Sequence, residues 1–401
     1  MSESVFRVAG SPAEDRAARV EELSRLGFTW ADLDGQPYWL DQLVTIDRAT
    51  YDRLVDASAR IWDIFDKTVR FLHGRRDLYR MLSIPEVLWD GLDRLPLNEP
   101  GHISRYARFD YSVGTDGSVK LLELNADTPT AYVEAAVATP WLCGQHPGVR
   151  SPNAMLPKLL ERAWAVERPE AACCVGYGKH AEDSGTIDML VRHSGLPVRC
   201  LDTLELSVDE GVLKDGAGRA IQRIFMLYPK EWMGIDEGGE ALAYAAETGN
   251  VTIFNSYHSV ILQSKGLQAV VWGLHEIGAP VYTAAEHEAI EAYMLPTYNE
   301  PVLGGDYVSK AMFGREGGSV ELYDSDGKLA VKDADGYDTS RWFGRVYQAR
   351  ADLPEIELQA GRMRLLTGMF VIGGVPCGVV GRAGGLITGN ASYFTAMGVR
   401  E

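Results

Sequence analysis

Four polar residues in two short stretches carry the chemistry that this chain can be read for: Arg108 and Asp110, then Glu123 and Asn125. They lie in Arg105–Val113 and Val119–Asn125, on either side of Gly114-Thr115-Asp116-Gly117-Ser118. Asp-Gly is a strong two-residue hairpin turn, because both positions tolerate positive φ. With Asp116 and Gly117 as the loop, Thr115 faces Ser118. Counting back places Asp110 opposite Glu123 and Arg108 opposite Asn125. Side chains alternate along a strand, so all four share one face, while Phe109, Leu122 and Leu124 take the other.

Carboxylates directly opposite on a ladder repel. A cation between them is expected, and Mg²⁺ suits one or two carboxylates together with phosphate oxygens. Asn125 adds an amide oxygen. Arg108 suits a phosphate, or the charge that develops on it during transfer. A solvent-facing hairpin with incidental charges is the plainer alternative. The clean division into one polar and one apolar face favours the metal. Next comes Ala126-Asp127-Thr128-Pro129, which predicts a helix running toward Trp141 with Thr128 as N-cap. Its free N–H groups could receive a substrate carboxylate beside the metal. Capping alone accounts for Thr128 equally well.

The elements that must hold this hairpin follow from periodicity. Ser11-Pro12 opens a helix that ends near Leu26, before Gly27. A longer helix spans about Arg48 to Leu72, with Leu54, Ile61, Ile64 and Phe65 as a core stripe. Apolar runs at Ala171–Gly176, Pro197–Leu201, Ile221–Tyr228 and Val251–Asn255 read as strands. Helices at Asp183–His193 and Glu240–Glu247 separate them, which implies a mostly parallel sheet. Helices at about Ser264–Glu276 and Ala285–Met294 precede a glycine-punctuated β stretch from Tyr307 to Arg350. Strands at Arg362–Ile372 and Cys377–Arg382 close the chain. The fold class is therefore α/β with α+β lobes. Residues 1–104 form an N-terminal helical segment, 105–150 the metal-binding hairpin and helix, and 165–260 an α/β substrate subdomain. Residues 261–350 form a lid subdomain, and 351–401 return to the core.

The chain has 401 residues, room for about two to three domains. Its net charge of −17 argues against a nucleic-acid footprint and is compatible with cationic small molecules. Five cysteines, Cys143, Cys173, Cys174, Cys200 and Cys377, show no C-x-x-C spacing; a reducing cytosol with the thiols as small core residues fits them. The polar start lacks a signal peptide, and no apolar run is long enough for a membrane span, so a cytoplasmic location is expected. No histidine pair has ligand spacing and no G-x-S-x-G elbow occurs.

At Arg108-Phe-Asp110, Glu123-Leu-Asn125-Ala-Asp-Thr-Pro-Thr130 and Glu134-Ala-Ala, the chain resembles the synthetase domain of the glutathionylspermidine synthetase family. The resemblance continues through Tyr228-Pro-Lys230-Glu231, Ser264-Lys265, Ser309-Lys310 to Gly314-Arg-Glu-Gly317-Gly, Tyr347-Gln348 to Leu353-Pro354, and Gly381-Arg382 to Thr388. It implies a circularly permuted ATP-grasp fold with a glycine-rich β lid, and ADP-forming amide synthesis from ATP, a carboxylic acid and an amine. By the same resemblance Asp110, Glu123 and Asn125 bind Mg²⁺, and Arg108 acts at the transferred phosphoryl group. Lys265, Lys310, Gly314, Gly317 and Gln348 hold the nucleotide, while Thr128, Glu231 and Arg382 face substrate. Lys230 stands where the family has Trp, and Ala383 where it has Glu. These departures are expected near the amine or thiol-peptide site, so glutathione and spermidine are not carried over as substrates.

The expected reaction is ligation through an acyl phosphate, with small-molecule acid and amine partners, no nucleic acid, no membrane and no implied oligomeric state. The alternatives are an ATP-grasp small-molecule kinase and a non-catalytic nucleotide-binding regulatory protein.

Overall fold

A computed structural model describes residues 4–165, 172–176, 178–315, 317–333 and 338–401, with the side chains at 172–175 and 338–339 left aside. Ala171 of the first expected parallel strand and Glu316 of the glycine-rich segment lie outside the described residues.

Among the described residues the largest sheet has nine strands. Its main path runs Phe6–Ala9, Trp39–Asp47, Tyr393–Arg400, Val375–Gly384, Gly361–Ile372, Tyr106–Val113, Val119–Asn125. The sheet is mixed: Trp39–Asp47 runs parallel to Tyr393–Arg400, while Gly361–Ile372 is antiparallel to Tyr106–Val113. Helix Arg48–Leu72 has the expected bounds and starts from an Asp47 cap that accepts the Thr50 N–H at 2.9 Å. Its stripe of Leu54, Ile61, Ile64 and Phe65 is buried. Phe109, on the apolar face of the hairpin, meets Trp62 and Phe65 of that helix edge-on at ring separations of 6.1 and 6.0 Å. Each such buried side chain contributes roughly 1.5–3 kcal/mol.

Two smaller sheets flank this core. One is parallel throughout, in the order Thr252–Ile253, Arg223–Met226, Ala172–Gly176, Arg199–Asp202, with helices Ala181–Ser194 and Gly239–Glu247 between strands. The other is antiparallel, in the order Thr297–Tyr298, Arg345–Ala349, Tyr307–Ala311, Glu321–Tyr323, Leu329–Lys332. It follows helices Gly266–Glu276 and Ala284–Tyr293.

Several expectations need correction. Residues 1–104, read as helical, also supply two strands of the central sheet. Trp39–Asp47 is nearly all apolar or buried, a run without the helical period, and so belongs to a sheet covered on both sides. The first helix begins at Arg16, not Ser11, because Asp15 caps it by accepting the Ala18 N–H. The helix expected from Thr128 begins only at Tyr132, since Ala131 takes a left-handed φ of 68° that interrupts it. It then opens into a π-helical turn, Glu134–Ala138. Cys200 is exposed rather than a core thiol, while Cys143 and Cys377 are buried. Among the described residues no helix is long and apolar enough to cross a membrane.

The parallel sheet is locked to the hairpin through a buried ion pair. Lys230 and Asp127 are each 1% exposed and paired. Asp127 also accepts the Lys230 backbone N–H at 2.9 Å, and Lys230 Nζ donates to Ser259 Oγ at 3.1 Å. Removing one partner of such a pair strands the other charge without solvent. Lys230→Met should therefore cost about 3–5 kcal/mol in urea denaturation; a loss below about 1 kcal/mol would show that the pair does not hold the two parts together.

Candidate active site

The hairpin pairs Arg108 with Asn125 and Asp110 with Glu123, as its residues predict. The route to that register differs. Near the turn the pairs are Val113 with Val119 and Tyr111 with Leu121, one residue off the two-residue-loop count. Gly114 receives the Ser118 carbonyl at 2.8 Å, so the loop holds three residues, and Gly117 takes the left-handed φ of 79°. A bulge between Asp110 and Tyr111 then absorbs one extra residue and restores the expected pairing at the site. Leu122 is that extra residue, and it lines the cavity instead of the apolar face. Its freed carbonyl accepts from Lys310 Nζ at 3.1 Å and Gln268 Nε2 at 3.2 Å.

The two carboxylates do not face each other bare. Arg108 forms a two-pronged pair with Asp110, Nε to Oδ1 at 2.7 Å and NH2 to Oδ2 at 3.0 Å, and anchors itself on the Thr130 carbonyl at 2.8 Å. Lys265 lies 3.2 Å from Glu123 Oε2. The Asn125 amide reaches Asp110 Oδ2 at 3.1 Å and Glu123 Oε1 at 3.4 Å. So Asp110, Glu123 and Asn125 present their polar heads to one point. Burial alone would raise the Glu123 carboxyl, yet the charges of Lys265 and Lys310 hold it down at about 2. Burial would likewise lower the Arg108 guanidinium, but Asp110 more than offsets it. Burial pushes the Lys310 ammonium down to about 8 despite the pull of Glu123, with Lys265 adding to the fall.

A cavity of about 450 Å³ opens over this hairpin. Of the residues singled out from sequence, Arg108, Asp110, Glu123, Asn125, Thr128, Lys310, Gly317 and Arg382 line it. The remaining four sit behind the wall. Lys265 is held by Glu123 and by the Gly314 carbonyl at 2.7 Å, so Gly314 turns its oxygen toward a lysine. Gln348 is buried and accepts from Lys310 Nζ at 2.8 Å, while its amide donates to Gln268 at 3.0 Å; it fixes the direction of Lys310. Glu231 is fully buried, with its carboxyl raised by burial, and accepts from Arg315 through Nε at 3.1 Å and NH2 at 2.7 Å. Arg315 also donates to the Thr128 hydroxyl at 2.6 Å. Thr128 is thus bound by a side chain from the glycine-rich segment and caps no helix.

Gly317 has a φ of 73°, and a Cβ there would come within 2.5 Å of the Thr388 carbonyl oxygen. The glycine-rich segment therefore packs backbone to backbone on the loop after Arg382. Arg382 donates to the Gly389 carbonyl at 3.0 Å and lies over the Phe394 ring at 5.1 Å. The two departures from the family pattern are not on the cavity wall: Lys230 is buried against Asp127, and Ala383 is fully buried.

Sequence reasoning missed three contributors. Gly368 pairs with Asp110 on the neighbouring strand, and a Cβ there would crowd Arg108 Cδ and Val380 at 3.0 Å. The signal was a lone glycine inside an apolar strand, which marks close approach. Arg315 was quoted within a motif but given no role. Tyr38, His180, Glu182 and Asp183 also line the cavity, and no pattern in the sequence marks them.

Mg²⁺ is usually held by one or two carboxylates with substrate phosphates, not by an all-protein cage. The donor set fits that use: two carboxylates and an amide oxygen converge, and among the described residues no three His, Cys, Asp or Glu side chains gather into a self-sufficient metal site. Mixed α/β architecture, a central sheet presenting an acidic hairpin, and buried cations around it define a protein built to bind a polyanion together with a small hard cation.

The chain belongs to the family described as glutathionylspermidine synthase preATP-grasp, whose model matches residues 11–400. It is also similar to a Haemophilus influenzae protein named "Putative acid--amine ligase", at 26% identity over 413 residues, covering 97% of this chain and 98% of that one.

Lys310 gives the site a pH signature. Its value of about 8 in the folded chain lies below the ordinary 10.5 that it regains on unfolding. Between those values the unfolded state holds more protons, so this residue's contribution makes stability rise with pH. Urea midpoints compared at pH 7.5 and 9.5 should rise more for the wild type than for Lys310→Met; parallel profiles would contradict the burial-lowered ammonium.

Proposed function

We propose that the protein is an ATP-dependent, ADP-forming ligase that joins a carboxylic acid to an amine through an acyl phosphate. One observation carries this reading: Asp110, Glu123 and Asn125 converge, and Arg108, Lys265 and Lys310 surround them, at one end of a cavity large enough for a nucleotide and a second reactant. In this reading Asp110, Glu123 and the Asn125 amide oxygen hold Mg²⁺, which neutralises phosphate oxygens. Arg108 and Lys265, now paired with the carboxylates, exchange those partners for phosphate. Lys310 faces the nucleotide with its direction set by Gln348 and the Leu122 carbonyl. Leu122, Val308, Leu322, Leu353 and Leu366 line an apolar part of the cavity that suits a purine.

The fold is then read as ATP-grasp-like, with Gly314–Gly318 as a lid whose closed position is the contact of Gly317 with Thr388. A closed lid keeps water from the acyl phosphate. Arg382, Arg315 and Thr128 are the groups placed to receive the acid, and Glu231 acts on it through Arg315. Phosphoryl transfer leaves little covalent work for the protein, so positioning and charge neutralisation dominate. The similar Haemophilus influenzae protein's printed name and the family description support acid–amine ligation.

An ADP-release screen over acids and amines tests the reading. Asp110→Asn keeps the side chain's size but removes its charge, and should lower Mg-ATP turnover about 10²-fold or more with the fold retained. Formation of AMP and pyrophosphate would replace the reading with adenylation. Hydroxylamine should trap the acyl group as a hydroxamate; ADP release to a stable phosphorylated product without hydroxamate would indicate a kinase.

A further inference from the structure

We infer that Tyr38 and Glu134 form a proton relay at the end of the cavity where the amine reacts, with Tyr38 touching the amine and Glu134 accepting the proton behind it. This rests on the ligase reading above and adds an element that the phosphate end lacks: a base for the nucleophile.

Tyr38 lines the cavity at the opposite chemical pole from Lys310, beside Phe394 at a ring separation of 4.9 Å. Its hydroxyl is buried and has no hydrogen-bond partner among the described residues. Behind it lies Glu134, fully buried at the start of the π-helical turn Glu134–Ala138. π-helical turns are frequent at functional sites, where they re-aim one side chain. Glu134 Oε1 accepts the Trp30 Nε1–H at 2.9 Å, while Oε2 has no partner. Two further buried polar atoms of the same cavity wall, Arg382 Nε and Thr388 Oγ1, also lack partners. Native proteins leave few buried polar atoms unpaired. Four of them around one end of one cavity mark a place built for a polar ligand.

The position of Glu134 is fixed from outside. Gly185, on helix Ala181–Ser194, abuts Trp30 so closely that a Cβ there would come within 1.8 Å of the indole. That clamp holds the indole on Glu134 and brings His180, Glu182 and Asp183 from the same helix region to the cavity wall. Glu182 and Asp183 give this end the negative charge that attracts an ammonium. Burial, and then the charge of Glu134, holds the Tyr38 phenol well above its usual value. Burial also raises the Glu134 carboxyl, making it a stronger base than an exposed one. The other charges that bear on the pair are Glu182, Arg382 and Arg108.

An alkyl amine arrives as an ammonium and cannot attack until it loses a proton. In the inferred step the Tyr38 oxygen takes that proton while its own passes to Glu134 Oε2. The amine lone pair then forms the C–N bond to the acyl carbon, and the C–O bond to phosphate breaks. The departing phosphate takes the second nitrogen proton, leaving a neutral amide, hydrogen phosphate and protonated Glu134, which returns its proton to solvent as product leaves. Atoms and charge balance without another reagent.

The test compares two nucleophiles with the same acid and Mg-ATP. Hydroxylamine is uncharged near pH 7.5 and needs no base; ethanolamine, 1,3-diaminopropane and the amino acids are ammonium ions there. The acid is the one giving the highest ADP release in the wild-type screen. Tyr38→Phe and Glu134→Gln should keep hydroxamate formation within about threefold and lose amide formation by about 10²-fold. That loss should shrink as pH rises toward the pKa of the amine. Glu134→Gln retains the acceptor for Trp30, so circular dichroism should show both variants folded. An equal fall in both reactions, or no fall in either, would overturn the relay. If the wild type makes neither ADP nor hydroxamate with any acid, it is the ligase reading that fails, and the relay with it.

Discussion

Asp110 and Glu123 stand opposite each other on neighbouring strands in a place that water barely reaches, and most of the surrounding structure answers that repulsion. Like charges across a ladder destabilise it. Here the compensating cations come from separate elements: Arg108 from the same strand, Lys265 from the start of helix Gly266–Glu276, and Lys310 from the five-stranded sheet. Assembling the site is therefore inseparable from assembling the fold around it. Neutralisation also explains the supports. Gln348, Gln268 and the Leu122 carbonyl exist as a relay of hydrogen bonds that keeps a buried lysine aimed at the carboxylates.

Much of this was legible in the residues, for specific reasons. The acidic hairpin could be placed because strand periodicity and an Asp-Gly turn constrain register strongly. The paired residues came out right although the loop is one residue longer than assumed; a bulge at Leu122 cancels the difference. Such compensation is invisible without a partner strand to pair against. Helix Arg48–Leu72 was readable to the residue, since an Asp cap and a long amphipathic stripe agree. Thr128 was misread because local capping chemistry was allowed to decide a position that a tertiary contact, from Arg315, controls. Trp39–Asp47 and Tyr393–Arg400 escaped notice because strands covered on both sides carry no alternation. Lys230 and Ala383 looked like changes in a binding surface and are interior residues.

The cavity has two chemically distinct ends. Around the hairpin, cations outnumber carboxylates and are held by fixed hydrogen bonds. At the other end, Glu182 and Asp183 oppose Arg382, and several buried polar atoms have no partner within the protein. A wall that is satisfied at one end and unsatisfied at the other fits a site where one reactant is shared by many relatives and the second varies. The segment Gly314–Gly318 touches both ends, through Lys265 on one side and Thr388 on the other.

The order of strands in the central sheet has a consequence for how the chain comes into being. Tyr393–Arg400 lies between strands drawn from much earlier residues, and the contact of Thr395 with Gln42 joins positions 353 apart. Gly361–Ile372, the strand that carries Gly368 beneath the charged hairpin, is likewise synthesised long after it. During translation the ribosome therefore exposes a repulsive acidic ribbon well before its neighbours exist. Contacts of such long sequence separation form slowly. The growing polypeptide must carry this ribbon unpaired for most of its synthesis, a period in which a chaperone or a bound divalent ion would have the most to do.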